Sequence, residues 1–181
     1  YLESSELIRK AENPFTFLPA GANKIMSYMY LHFRFMWLLL WPSVLCAEYT
    51  FNCIAEVDSM WSTEFCLGIS LYVTMIGLLI MVLRNLYRSL GNEKVSSAPM
   101  QYWLLLVVPF IPASGLFLRL GTLLAERLLY VPSVGYCLLL AHFIHKLFSS
   151  KILCWVLISG ICTIMSIKTR QQNLVWTNDE S

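Results

Sequence analysis

The chain has 181 residues, of which 57% are hydrophobic, 14% aromatic and only 13% charged, with a net charge of +2 and a mean hydropathy of +0.62. A soluble domain carries roughly 25% charged residues, so this balance excludes an ordinary soluble or disordered chain, and the scattered Lys and Arg exclude a nucleic-acid binder that grips through clustered basic charge. An integral membrane segment remains. The sequence begins with Tyr1 and ends at Asn178-Asp179-Glu180-Ser181, and is expected to be a fragment of a longer protein.

Crossing a bilayer core about 30 Å thick takes roughly 20 mostly apolar helical residues. Residues 1–64 form an N-terminal segment with one ambiguous hydrophobic stretch, 28–47. It is rich in aromatics and leucine but interrupted by His32, Arg34 and Pro42; a crossing, a re-entrant segment and an interfacial helix all fit. An acidic loop follows, with Glu48, Glu56, Asp58 and Glu64 and no Lys or Arg. Phe65 to Leu83 then runs 19 residues without a charge and predicts a crossing over about 65–83.

From Met100 to His145 the charges are Arg119, Glu126 and Arg127. Those 46 residues would make about 69 Å of helix at 1.5 Å each. That length suits two crossings, 101–118 and 123–144, folded back around Arg119-Leu120-Gly121. Ile152 to Ile167, extended by Ser149 and Ser150, predicts another over 149–167. The expected fold class is therefore an all-α membrane protein, a polytopic helical bundle.

Short-loop Lys and Arg set orientation. Arg84, Arg88 and Lys94 follow the first crossing, and Lys146 and Lys151 occupy the next loop on that side. These loops are placed in the cytosol and the acidic loop outside or in a lumen. Parity then puts the Arg119–Arg127 turn and the 168–181 tail on the lumenal side, against the weaker vote of Lys168 and Arg170.

Charge beside a membrane helix is costly and tends to be functional, which singles out Glu126 and Arg127. Adjacent residues diverge by about 100° on a helix and do not pair well. Glu126 shares a face with Tyr130, leaving Arg127 to turn toward a ligand or another helix. A guanidinium at the membrane boundary suits a bidentate grip on phosphate. An ordinary interfacial pair, snorkelling or bridged to a neighbouring helix, fits the same residues. Pro109 and Pro112 break the first helix of the hairpin and Pro132 follows Arg127; prolines in membrane helices release carbonyls that need partners or line a cavity. Cys46, Cys53 and Cys66 bracket the acidic loop, where an oxidising compartment would permit one disulfide. His32 is isolated, His142 and His145 sit near a helix end, and neither these nor the cysteines have metal-site spacing.

Several stretches resemble one family. Pro109-Phe110-Ile111-Pro112-Ala113-Ser114, followed by Ala125-Glu126-Arg127-Leu128-Leu129-Tyr130-Val131-Pro132-Ser133-Val134-Gly135-Tyr136-Cys137, resembles the signature of the transmembrane and tetratricopeptide-repeat-containing protein O-mannosyltransferases. Ala11-Glu12-Asn13-Pro14 resembles the family's acidic-Asn-Pro element. Tyr28-Met29-Tyr30-Leu31 leading to Trp37-Leu38-Leu39-Leu40-Trp41-Pro42 resembles its next segment, and Lys168-Thr169-Arg170, Asn173 and Trp176 resemble its exit toward helical repeats. Glu48-Tyr49 departs from the Asp-aromatic pair expected after Pro42.

The resemblance implies part of a GT-C-like glycosyltransferase membrane domain, multi-pass in the endoplasmic reticulum membrane, that moves mannose from dolichyl phosphate mannose to Ser or Thr of secretory-pathway proteins such as cadherins. It implies lumenal tetratricopeptide repeats after 168–181 and an acidic catalytic pair upstream of residue 1, so that this piece alone would be inactive. Arg127, with Glu126, Tyr130 and Ser133, is the expected dolichyl phosphate site. The partners implied are the lipid-linked donor, acceptor proteins and membrane lipids, with no nucleic acid; no metal or cofactor is identified. A non-catalytic membrane scaffold or transporter fragment is the alternative.

Overall fold

In the computed structural model the described residues are 13–42, 49, 53–91, 97–117 and 121–177, with side chains to Leu174, and among them there is helix and no strand. Among the described residues five α-helices follow one another: α1 (Ala22–Leu40), α2 (Thr63–Gly91), α3 (Ala98–Val107), α4 (Tyr130–Leu147) and α5 (Lys151–Thr177). Short 3-10 turns occupy Pro14–Phe17, Val108–Phe110, Pro112–Ser114 and Glu126–Leu129. Thr63–Gly91, Glu126–Leu147 and Lys151–Leu174 are long and apolar enough to cross a membrane. The chain is an all-α membrane protein.

The uncharged run beginning at Phe65 lies within α2, whose 29 residues span about 44 Å. That exceeds a hydrocarbon core, so the last turns carry Arg84 and Arg88 beyond it. Basic charge there also suits the negative end of the helix dipole. α5, at 27 residues, likewise continues past 149–167 to include Lys168 and Arg170.

The stretch expected to be helical over 101–118 is different. Its α-helix stops at Val107 and the chain continues through two 3-10 turns, each with a proline at its start. Pro109 and Pro112 lack the N–H an α-helix needs and crowd the carbonyl four residues back. The apolar helix Ala98–Phe110 is about 20 Å long, short of a crossing. Pro132 breaks nothing: it lies in the first turn of α4, where backbone N–H groups have no acceptor within the helix.

Two glycines set the packing of neighbouring helices. A Cβ on Gly135 of α4 would stand 2.8 Å from the Leu105 carbonyl carbon and would also collide with Leu106 N in α3. One on Gly68 of α2 would lie 3.0 Å from the Met29 backbone in α1.

The pairs Met29–Gly68 and His32–Tyr72 advance in the same direction, so α1 and α2 run parallel. Consecutive crossings joined by a single connection run antiparallel; a parallel pair requires the connection to return to its starting side. It does return: Val57 N–H donates to the fully buried Ser27 Oγ at 2.9 Å.

The buried core sits beside that return. Phe15, Leu31, Phe35, Tyr49, Ile54, Leu123, Leu124 and Leu129 form one cluster. Burying a side chain such as Phe15 or Phe35 stabilises by about 1.5–3 kcal/mol. Asn13, buried, caps the first turn by accepting from Thr16 N–H at 3.3 Å. Lys24 Nζ donates to the carbonyls of Thr16 and Leu18, at 3.2 Å each. Core and caps thus fasten the N-terminal arm and the segment around Glu126 to one face of α1.

Candidate functional site

An apolar cavity of about 250 Å³ lies between α1, α2 and α3. α1 contributes His32, Phe35, Met36 and Leu39, the i, i+3, i+4, i+7 spacing of one helix face. α2 contributes Leu71, Tyr72 and Met75, and α3 with its broken end contributes Trp103, Leu106, Val107, Phe110, Ile111 and Ser114. Leu116, Phe117, Leu129 and Pro132 complete the wall. Its rings meet edge to face, Phe35 with Phe110 at 5.1 Å and His32 with Phe110 at 5.8 Å between centroids, the arrangement aromatic quadrupoles favour.

One polar device interrupts this lining. His32 Nδ1 is 2.6 Å from the Tyr72 hydroxyl, and Nε2 is 2.8 Å from the Ser114 carbonyl oxygen. A carbonyl can only accept, so Nε2 carries the proton. In the neutral ring Nδ1 then accepts from Tyr72 O–H. His32 and Ser114 are both buried. The Ser114 carbonyl lies where the proline-broken segment ends, and Gly115 follows with φ of 72°. A side-chain Cβ at Gly115 would press to 2.8 Å from Tyr28 Cε1, so the turn needs glycine for its conformation and for space.

The four residues expected to hold phosphate occupy two successive elements, whose Leu129 and Pro132 line the cavity. Glu126 and Arg127 are in the 3-10 turn Glu126–Leu129, Tyr130 opens α4, and Ser133 is one turn on. Arg127 and Tyr130 are exposed, whereas Leu129 of the same turn is buried and lines the cavity. The α-helical face-sharing of Glu126 with Tyr130 does not apply in a 3-10 turn, which closes every three residues. Glu126 Oε1 instead accepts from the Tyr49 hydroxyl at 3.2 Å, and Tyr49 N–H donates to the Leu124 carbonyl at 3.4 Å. Ser133 Oγ donates to the Tyr130 carbonyl at 2.7 Å, a bond within the helix that turns the hydroxyl hydrogen away from any ligand.

Sequence reasoning left His32 as an isolated residue and assigned no functional role to Tyr72 or Tyr49. For His32 the signal was present, since its spacing with Phe35, Met36 and Leu39 puts it on the buried face of α1. The partners of Tyr72 and Tyr49 lie 40 and 77 positions away, and local pattern carries no such information. Cys46, Glu48, Lys94 and Arg119 lie outside the described residues, so the cysteine pairing is described only in that Cys66 is an exposed free thiol. Among the described residues, no three His, Cys, Asp or Glu gather as metal ligands.

Residues 3–76 match the family model described as protein O-mannosyl-transferase TMTC, DUF1736. The chain is 35% identical over 180 residues to mouse protein O-mannosyl-transferase TMTC1, covering 97% of this chain and 19% of the mouse protein. Human TMTC3 is 32% identical over 178 residues, 93% of this chain and 18% of that protein. Human TMTC4 is 30% identical over 174 residues, 94% of this chain and 23% of that protein. The chain thus spans about a fifth of the length of the curated relatives it matches. No solved structure matches it. The matching relatives run through the cavity and the Glu126–Ser133 segment alike, and the chain belongs to the TMTC protein O-mannosyl-transferase family.

Proposed function

We propose that this chain is part of the membrane domain of a protein O-mannosyltransferase of the endoplasmic reticulum, and that it holds the lipid-linked donor. The donor is dolichyl phosphate mannose, and the acceptors are Ser and Thr hydroxyls of secretory-pathway proteins, cadherins among them. The observation that carries the reading is the position of Arg127. It is exposed on the same short turn whose buried Leu129 walls an apolar cavity, which puts a cation within two residues of an apolar wall. A polyprenyl phosphate is a ligand of that pattern.

In this reading the first isoprene units lie in the cavity and the Arg127 guanidinium grips the phosphate bidentately. Transfer breaks the bond between mannose C1 and the phosphate oxygen and forms one from C1 to the acceptor oxygen. Negative charge grows on the departing phosphate, and a preoriented cation stabilises it there more than in the ground state. Glu126, held by Tyr49, orients the turn, while Tyr130 and Ser133 flank the site. The acceptor's proton goes to an acidic residue that the family resemblance puts upstream of residue 1. Tetratricopeptide repeats follow the segment in the lumen, as the family resemblance implies.

The test is mannosyl transfer by the full-length protein in membranes, with dolichyl phosphate mannose and a Ser/Thr acceptor peptide. Transfer that requires the intact lipid phosphate is expected. A purified, folded protein that transfers no mannose would contradict the reading.

A further inference from the structure

We infer that His32 is a positioning residue, the clasp that holds the proline-broken end of α3 in place and so keeps the cavity open for the donor's lipid chain. The functional half of this inference rests on the donor-binding reading above. The structural half stands on geometry alone. Tyr72 of α2, His32 of α1 and Ser114 at the end of the broken segment are joined by two contacts of 2.6 and 2.8 Å. Those three elements are also walls of the cavity, and all three residues line it.

The direction of the two bonds makes them one device. At a broken helix end in an apolar surrounding, a carbonyl without a donor is costly, and the cost must be met by a side chain or water. His32 Nε2–H meets it at Ser114. In the neutral ring it does so when Nδ1 is the unprotonated nitrogen, and the Tyr72 hydroxyl favours that tautomer by donating to Nδ1. Removing the Tyr72 oxygen therefore weakens the bond at Ser114, although Tyr72 does not touch Ser114's carbonyl in this arrangement. Without the clasp, the stretch from Ile111 to Phe117 loses its hydrogen-bonded anchor on α1 and keeps packing contacts such as Gly115 against Tyr28. Ile111, Leu116 and Phe117 then move relative to Phe35 and Met36, across the space the chain occupies.

The experiment uses the full-length protein in lipid nanodiscs with His32→Ala, Tyr72→Phe and the double variant. Hydrogen exchange is followed in peptides covering 111–117 and, as an internal reference, 151–174. Faster exchange by about tenfold in 111–117 is expected for both single variants, with 151–174 unchanged. The double variant should be no faster than His32→Ala, because both substitutions act on one bond. In the transfer assay, KM for the lipid donor should rise about tenfold with kcat and acceptor KM within twofold, and added imidazole should restore donor KM in His32→Ala. Unchanged exchange at 111–117 in Tyr72→Phe, which deletes one atom and should fold, would overturn the clasp. Additive effects in the double variant would do the same. A wild-type protein that transfers no mannose would contradict the proposed function instead, and the exchange arm would still decide the clasp.

Discussion

Tyr49 spans the distance between the acidic loop and the turn before α4, donating its hydroxyl to Glu126 Oε1 at 3.2 Å while its own N–H bonds the Leu124 carbonyl. Two bonds from one residue hold the segment that carries Arg127 against the core. Tyr49 is itself buried in that core, beside Phe15, Ile54 and Leu124. The exposed Arg127 thus sits on a turn anchored to the core.

Tyr49→Phe should keep the ring in the core and remove only the hydroxyl. A single hydrogen bond to a carboxylate is worth about 1.5–3 kcal/mol. The expected outcome is a loss of roughly tenfold in kcat/KM for mannosyl transfer, with the thermal midpoint shifted by only a few degrees. Glu126→Gln should show a similar loss, and combining the two should cost little more than either alone. Parallel assays of activity and thermal unfolding in detergent check this.

Helix contacts at glycine make a second prediction. Gly135→Ala puts a methyl group into the backbone of Leu105 and Leu106, where no side chain can move aside. Overpacking of this kind costs about 1–3 kcal/mol. Gly160→Ala in α5 meets nothing within 4 Å and should be neutral or slightly stabilising, by up to about 1 kcal/mol of helix propensity. Thermal unfolding of the two variants side by side should show a lower midpoint for the first and no drop for the second.

The cavity predicts a dependence on lipid chain length. A cavity of about 150 Å³ accepts benzene, so one of about 250 Å³ holds on the order of ten carbons by the same measure. Donor KM should fall when a five-carbon prenyl phosphate mannose is lengthened to ten carbons, then change less than twofold with further length. Met75→Trp, adding bulk from the α2 wall, should raise KM for the ten-carbon donor and leave the five-carbon donor within twofold. Steady-state kinetics with a series of synthetic donors measures both.

The membrane character, the helical class and the proline break were legible in the sequence, because each follows from local composition or from residues close in the chain. The Pro109 and Pro112 break is a covalent property of proline, and its place needed no knowledge of neighbours. What escaped was register over long separations. The parallel run of α1 beside α2, the return of Val57 to Ser27, and the pairs His32–Tyr72 and Tyr49–Glu126 are tertiary choices that hydropathy does not encode. The ambiguity of the 28–47 stretch had the same origin. His32 and Arg34 interrupt a membrane-like pattern; spacing with Phe35, Met36 and Leu39 puts His32 on the buried face, but its partners Tyr72 and Ser114 are tertiary. Ser133 illustrates the converse: a hydroxyl beside a candidate site looked available for a ligand, and the helix claims its proton for the Tyr130 carbonyl.

The most direct measurement is mannosyl transfer by the full-length protein carrying Arg127→Ala or Arg127→Lys, each compared with wild type at equal membrane abundance. The account predicts a loss of about 100-fold or more in kcat for Arg127→Ala and a smaller loss for Arg127→Lys, which keeps the charge but not the two-pronged donor. Wild-type transfer by Arg127→Ala would contradict it.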